Sequence, residues 1–242
     1  MDRFDLHTKI LIGGDALGEM LRQMKRIFIV TDKFMHESGR VSYLTDQITT
    51  PGAEYRIFSD VTPDPDIDLV TAGVSHILDF KPDAVIALGG GSPIDAAKAI
   101  VYFAAQQFDL RDCPFIAIPT TSGTGSEVSK FAVITDRARG IKYPLIADSL
   151  LPDYAVLDAE LTRSVPPGVT ADTGIDVLTH AIEAYVCTEA NTFTDALAEK
   201  AVKLVDKYLL TAYREPANLE ARQAMHNASC LAGAAFSNAG LG

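Results

Sequence analysis

Four short runs in the first 161 residues are apolar almost from end to end. They are RIFIVTD at 26–32, the start of DAVIALGGGS at 83–92, the start of PFIAIPTTSGTGSE at 114–127, and YAVLDAEL at 154–161. Runs without polar alternation suit strands buried on both faces, which occur in parallel sheets covered by helices. The stretches IDLVTAGVSHILDF and SPIDAAKAIVYFAAQ between them repeat apolar residues at helical spacing. This alternation predicts an α/β fold with an open, mostly parallel, Rossmann-like sheet.

The pattern changes after Pro166-Pro167. Three helical patterns follow without a strand among them: TADTGIDVLTHAIEAYV, FTDALAEKAVKLVDKYLLTAY and NLEARQAMHNASCLAGAAFS. The proline pair therefore predicts a boundary, with an α/β domain over 1–166 and the beginning of an all-helical domain over 167–242.

Composition narrows the function classes. Acidic residues outnumber basic ones 32 to 21, giving a net charge of −11, and no Lys/Arg cluster interrupts that balance. Such a surface repels phosphate backbones and anionic lipid, so neither nucleic acid nor a membrane is an expected partner. Cys113, Cys187 and Cys230 are far apart and form no CxxC, which fits buried thiols in a reducing cytoplasm. The residues after Met1 lack the cationic start and apolar run of a signal peptide, and no apolar window is long enough to span a bilayer. The expectation is a soluble, cytoplasmic protein.

Two glycine-bearing turns each follow a strand. In GGGSPID the glycines let the backbone turn sharply and approach a ligand, and Pro93 suits a first helical turn. Free N–H groups and the helix dipole would make a pyrophosphate site there. PTTSGTGSE supplies hydroxyls and glycine at a second strand end, and two such loops would line one crevice. The plain alternative is two tight strand-to-helix turns. Neither loop carries the GK[ST] ending of an NTPase loop, which disfavours ATP hydrolysis. Asp32 ends the first convincing strand, where an acid either accepts from the ribose hydroxyls of NAD or caps the next helix.

In GIDVLTHAIEAY, Asp176 stands four residues before His180. Residues at this spacing share one helix face, so the two can converge on one ion. Mixed oxygen and nitrogen donors suit Fe²⁺, Zn²⁺, Mn²⁺ or Co²⁺ better than Ca²⁺ or Mg²⁺. An Asp–His hydrogen bond within a helical core is the other reading. Glu183, near that face, reads as a solvated or capping acid.

ALGGGSPIDAAKAI, IPTTSGTGSEVSKFAVITD and TADTGIDVLTHAIEAYV, in this order, resemble the iron-containing (group III) alcohol dehydrogenase family. GIKYPLIADSLLPDYAVLDAEL and FTDALAEKAVKLV are most similar to the propanol dehydrogenases of propanediol-utilising bacterial microcompartments, with those of ethanolamine utilisation near them. The resemblance implies a metal-dependent, NAD(H)-linked enzyme acting on a short-chain primary alcohol or aldehyde, such as propanol/propanal or ethanol/acetaldehyde. Aldehyde reduction would be its main direction, and its partners would be copies of itself in a homo-oligomer and microcompartment enzymes or shell.

Carried over by motif, Gly90, Gly91 and Ser92 would hold the pyrophosphate with Asp95 nearby. Thr120, Thr121 and Thr124 would line the nicotinamide side, and Asp32 would take the adenosine ribose with Asp64 near it. Lys142 and Leu161 would also touch the cofactor. Asp176 and His180 match two of the family's four metal ligands, for Fe²⁺ first and Zn²⁺ second. No further catalytic residue is assigned, and His226 reads as structural.

The family's other two ligands are histidines that follow the AGLG at 239–242, as does a histidine assigned to proton transfer. The resemblance therefore implies a fragment or a natural truncation that by itself binds NAD weakly and turns over little or nothing. Two rival readings stand beside the enzyme: a non-catalytic nucleotide-binding or interaction module, and a glycerol dehydrogenase-like polyol enzyme, against which the TTSGTGSEV wording argues.

Overall fold

The computed structural model describes residues 4–241. Its strands are β1 (Lys9–Ile12), β2 (Arg26–Asp32), β3 (Glu54–Val61), β4 (Ala84–Gly89), β5 (Phe115–Pro119), β6 (Phe131–Asp136), β7 (Ile141–Ile146) and β8 (Tyr154–Leu157). The α-helices are α1 (Asp15–Leu21), α2 (Lys33–Glu37), α3 (Ser42–Thr45), α4 (Ile67–Phe80), α5 (Gly91–Ala104), α6 (Ala159–Thr162), α7 (Pro167–Val186), α8 (Thr192–Arg214) and α9 (Leu219–Ala239).

Six strands pair in the order β1-β8-β5-β4-β2-β3, and every pairing in that sheet is parallel. This is the expected architecture. The four apolar runs are β2, β4, β5 and β8, and every residue of β4 and β5 is buried. Each fully buried Ile, Leu, Val or Phe among them contributes about 1.5–3 kcal/mol relative to exposure. Two strands of the sheet, β1 and β3, form its edges and escape the sequence pattern. A separate antiparallel hairpin, β6–β7, was also not expected.

Helices cover both faces. α4 and α5 bury Val74, Ile77, Ile94 and Ile100 against Phe28, Val30, Val85 and Ala87 on one face. On the other, Leu17, Leu21, Met35 and Leu44 from α1–α3 pack on Ile27, Ile29, Ile86 and Ile116. α4 starts on the cap Asp66, whose carboxylate accepts from Leu69 N–H at 2.9 Å, and ends at Lys81 with φ +53°. Both signals mark helix ends of the usual kind.

α7 begins at Pro167, directly after the proline at which the sequence pattern breaks. α7, α8 and α9 share an alanine-rich core of their own, in which Ala181, Ala198, Ala201, Ala228 and Ala232 are fully buried. α9 also reaches the sheet side: Cys230 and Ala234 pack with Val128, Ala155 and Leu157. Here Gly125, with φ +60°, lies against Gly233 of α9. A Cβ on Gly233 would fall 2.7 Å from the Gly125 carbonyl oxygen and 2.8 Å from its Cα. The segment after β5 and the helical layer thus meet backbone to backbone.

Gly233→Ala is expected to lower stability by about 2 kcal/mol, because the added methyl forces two backbones apart in a packed region. Denaturant unfolding of the variant beside the parent measures this, and an unchanged midpoint would contradict the contact.

Candidate active site

Strand order reverses between β2 and β4: the chain leaves β2 for β3 on one side, then returns to place β4 on the other. The connection after β2 runs over one face of the sheet and α5, after β4, over the opposite face. The carboxyl ends of the two strands are left open between them, the position where open α/β sheets accept ligands. A cleft of about 790 Å³ occupies that place.

Gly90, Gly91 and Ser92 form one wall of the cleft, Thr120, Thr121 and Thr124 another, and Asp32 and Leu161 also line it. Gly89, the last residue of β4, has φ +154°, and a Cβ there would lie 2.5 Å from the Pro93 ring. Only glycine permits this tight entry into α5. No side chain caps α5, whose N-cap is Gly90. Its first N–H groups are therefore available to an anionic ligand, with the helix dipole behind them.

Asp32 caps a helix at the edge of the cleft. One oxygen accepts from Met35 N–H at 2.8 Å as the cap of α2, while the residue lines the cleft. Asp64 and Lys142 lie outside the lining and pair with each other at 2.6 Å on the exposed surface; Asp64 follows Pro63 at the rim. Asp95 does not reach the cleft. It is buried behind the threonine loop, where it accepts from the Ser126 hydroxyl and from Val133 N–H at 3.0 Å. Burial pushes its carboxyl above the usual range.

Several lining residues carry no sequence signal. Arg40 stacks over the Phe34 ring at 5.3 Å and donates to the Ser164 hydroxyl, with all three residues on the cleft wall. The chain flanking Thr120 and Thr121 is pinned by His226, which is 1% exposed. Its Nε2 lies 3.1 Å from the Pro119 carbonyl and its Nδ1 2.9 Å from the Ser122 hydroxyl. A carbonyl only accepts, so Nε2 carries a proton. Burial pushes its pKa down to about 4. Arg222, also buried, donates to Thr170 Oγ1 at 2.8 Å, Val165 O at 3.1 Å and Pro216 O at 3.1 Å, tying α9 to the junction before α7. His226 is buried and hydrogen-bonded at both ring nitrogens.

Val169 and Thr173 of α7 line the cleft, and Asp176 and His180 continue the same helical stripe at i+7 and i+11. The two side chains converge, with His180 Nε2 3.7 Å from Asp176 Oδ1. That separation exceeds a hydrogen bond. Two donors each about 2.1 Å from one ion, at tetrahedral or somewhat wider angles, stand about 3.4–3.7 Å apart. His180 Nδ1 is buried without a partner among the described residues, and its ring packs against Phe236 at 5.0 Å. The pair therefore fits a shared divalent cation. Among the described residues no group of three or more His, Cys, Asp or Glu side chains comes together, and Glu183 joins none.

An open parallel sheet with a ligand cleft at its switch point defines a nucleotide-binding α/β class, and the helix-borne donor pair narrows it. Comparison with known proteins agrees. The family model for iron-containing alcohol dehydrogenases matches residues 7–159, and that for the C-terminal part of the Fe-containing alcohol dehydrogenase family matches 170–242. The chain belongs to the iron-containing alcohol dehydrogenase family. It is 50% identical to the 1-propanol dehydrogenase PduQ of Citrobacter freundii, in an alignment covering all of the chain and 65% of that relative. It is 43% identical to the NADPH-dependent butanol dehydrogenase of Clostridium saccharobutylicum, covering 66% of it. Among solved structures, sulfoacetaldehyde reductase from Bifidobacterium kashiwanohense, in complex with NAD⁺, superposes with a TM-score of 0.90 at 36% identity; the match covers the whole chain and 68% of that protein. A 1,3-propanediol oxidoreductase superposes with a TM-score of 0.92 at 34% identity, again over the whole chain and 68% of the other. The chain thus spans just under two thirds of the length of the PduQ relative.

The pKa of His226 lies below that of an unfolded histidine, so below pH 6.5 the unfolded chain takes up a proton that the folded one refuses. Stability is full above that pH and is lost as pH falls toward 4, by about 3 kcal/mol in all. Unfolding free energies at pH 7, 5.5 and 4.5 for the parent and His226→Gln should show a shallower decline in the variant.

Proposed function

We propose that this chain forms the nucleotide-binding part and two of the metal ligands of an enzyme for NAD(H)-linked, metal-dependent interconversion of a short-chain primary alcohol and its aldehyde, mainly in the direction of aldehyde reduction. The observation that carries this reading is a single stripe of α7, running from the cleft wall at Val169 and Thr173 to the donor pair Asp176 and His180. It brings a dinucleotide cleft and a cation site onto one rigid element. Family membership and the relatives' names support the same chemistry.

In this reading, the first N–H groups of α5 and the Ser92 hydroxyl bind a pyrophosphate, while the Asp32 carboxylate accepts from ribose hydroxyls. An acid there also repels a 2′-phosphate, which favours NAD over NADP. Thr120, Thr121 and Thr124 hold the nicotinamide side, and Leu161 gives an apolar contact from the opposite wall. Asp64 and Lys142 form an exposed ion pair at the rim, and Asp95 acts from behind the loop. Asp176 and His180 hold a divalent ion, Fe²⁺ ahead of Zn²⁺, which when bound supplies Lewis-acid polarisation of the substrate oxygen. The division at the proline pair makes residues 1–166 the nucleotide domain and 167–242 the start of the metal-binding domain. No helix among the described residues is long and apolar enough to cross a membrane. A cytoplasmic homo-oligomer, associated with a bacterial microcompartment, fits the branch that the sequence resembles.

The test is NADH consumption, followed by absorbance, with propanal or acetaldehyde and added Fe²⁺ or Zn²⁺. Aldehyde-dependent oxidation of NADH is expected of a protein spanning the full length of the relatives, and little or none of residues 1–242 alone. Binding of NADH by the full-length protein without turnover of any aldehyde would favour the nucleotide-binding module instead. His180→Ala should lower metal affinity more than roughly hundredfold, read as metal content after dialysis, because it removes a ligand rather than a residue behind one.

A further inference from the structure

Asp95 and Lys98 lie seven residues or less from Gly91 on α5, in a stripe at i, i+4 and i+7. Gly91 faces the cleft, but the other two point away from it, into the space behind the threonine loop. Lys98 is 1% exposed. Its ammonium donates to Ser129 O at 2.7 Å, Ser129 Oγ at 3.0 Å and Phe131 O at 2.7 Å. All three of its hydrogens are thereby used. Asp95 takes the Ser126 hydroxyl and Val133 N–H.

A buried ammonium is costly, and an apolar side chain would fill the same space more cheaply. What the charged pair adds is direction. Its hydrogen bonds grip the chain at 126, 129, 131 and 133, just downstream of Thr120, Thr121 and Thr124. Gly125, between those threonines and the grip, is held by Gly233 on its other side. The threonine wall is therefore registered against the glycine turn by groups outside the cleft lining. Burial lowers the pKa of Lys98 and raises that of Glu127, which is enclosed beside it.

We propose that Asp95 and Lys98 are positioning residues for the nucleotide cleft, setting the spacing between the threonine loop and the glycine turn on which dinucleotide affinity depends. This rests on the nucleotide reading above. Ser126→Ala removes one donor to Asp95 and leaves every charge in place, so it decides the matter even where Lys98→Met does not fold. Melting temperature, the NADH dissociation constant from fluorescence titration, and the KM values for NADH and aldehyde are measured on the parent and both variants. The expected result for Ser126→Ala is roughly tenfold weaker NADH binding, about the entropy of ordering one freed loop residue on binding. KM for NADH should rise in step, while KM for aldehyde changes little, and Lys98→Met should be affected more strongly. A lowered melting temperature with unchanged NADH affinity in Ser126→Ala would make the cluster a structural staple only and overturn the inference. Failure of the parent itself to bind NADH overturns the nucleotide reading and takes the inference with it.

Discussion

A parallel sheet whose fourth strand returns to the inner side of its second has one place where neighbouring connections diverge. Here that place lies between Asp32 and Gly89. Because α2 and α3 follow one face and α5 the other, no helix closes the gap. The remaining features of the site depend on this divergence. The uncapped start of α5, the acid at the end of β2 and the threonine loop after β5 all face one opening because their strands end side by side.

Buried polar groups hold the walls from behind. His226 holds the chain flanking Thr120 and Thr121 through Pro119 and Ser122, Asp95 and Lys98 hold the loop, and Arg222 holds the junction at Val165 and Thr170. Each satisfies backbone or hydroxyl groups that irregular chain would otherwise bury unpaired, at a cost of about 1–3 kcal/mol each. Apolar side chains could fill the same volume, but they would leave the loops without a fixed direction.

Much of the frame is visible in the sequence because buried strands and amphipathic helices impose their periods on it. β2, β4, β5 and β8 are continuous apolar runs, and α4 coincides with its predicted segment at both ends. β3, EYRIFSDV, does not look like a buried strand because it lies at an edge, where charged residues meet solvent and Arg26 pairs with Glu54. β7 is mostly exposed and pairs only with β6, so no burial pattern marks it. Within the site, glycines and threonines could be read because they sit at strand ends. Asp95 could not be placed, since its position in the motif does not tell which way its helix turns it. Arg222 and His226 fall within an alanine-rich helical pattern, and nothing in that pattern marks their buried partners.

The meeting of Gly125 and Gly233 has a mechanical side. Two backbones in contact have no rotamers with which to yield, so the position of α9 sets the position of the residue beside Thr124. Phe236, one turn along α9, bears on the His180 ring. The separation between the threonine wall and the Asp176–His180 pair is thus gauged by main chain at one end and a single aromatic face at the other, a short ruler with few flexible joints.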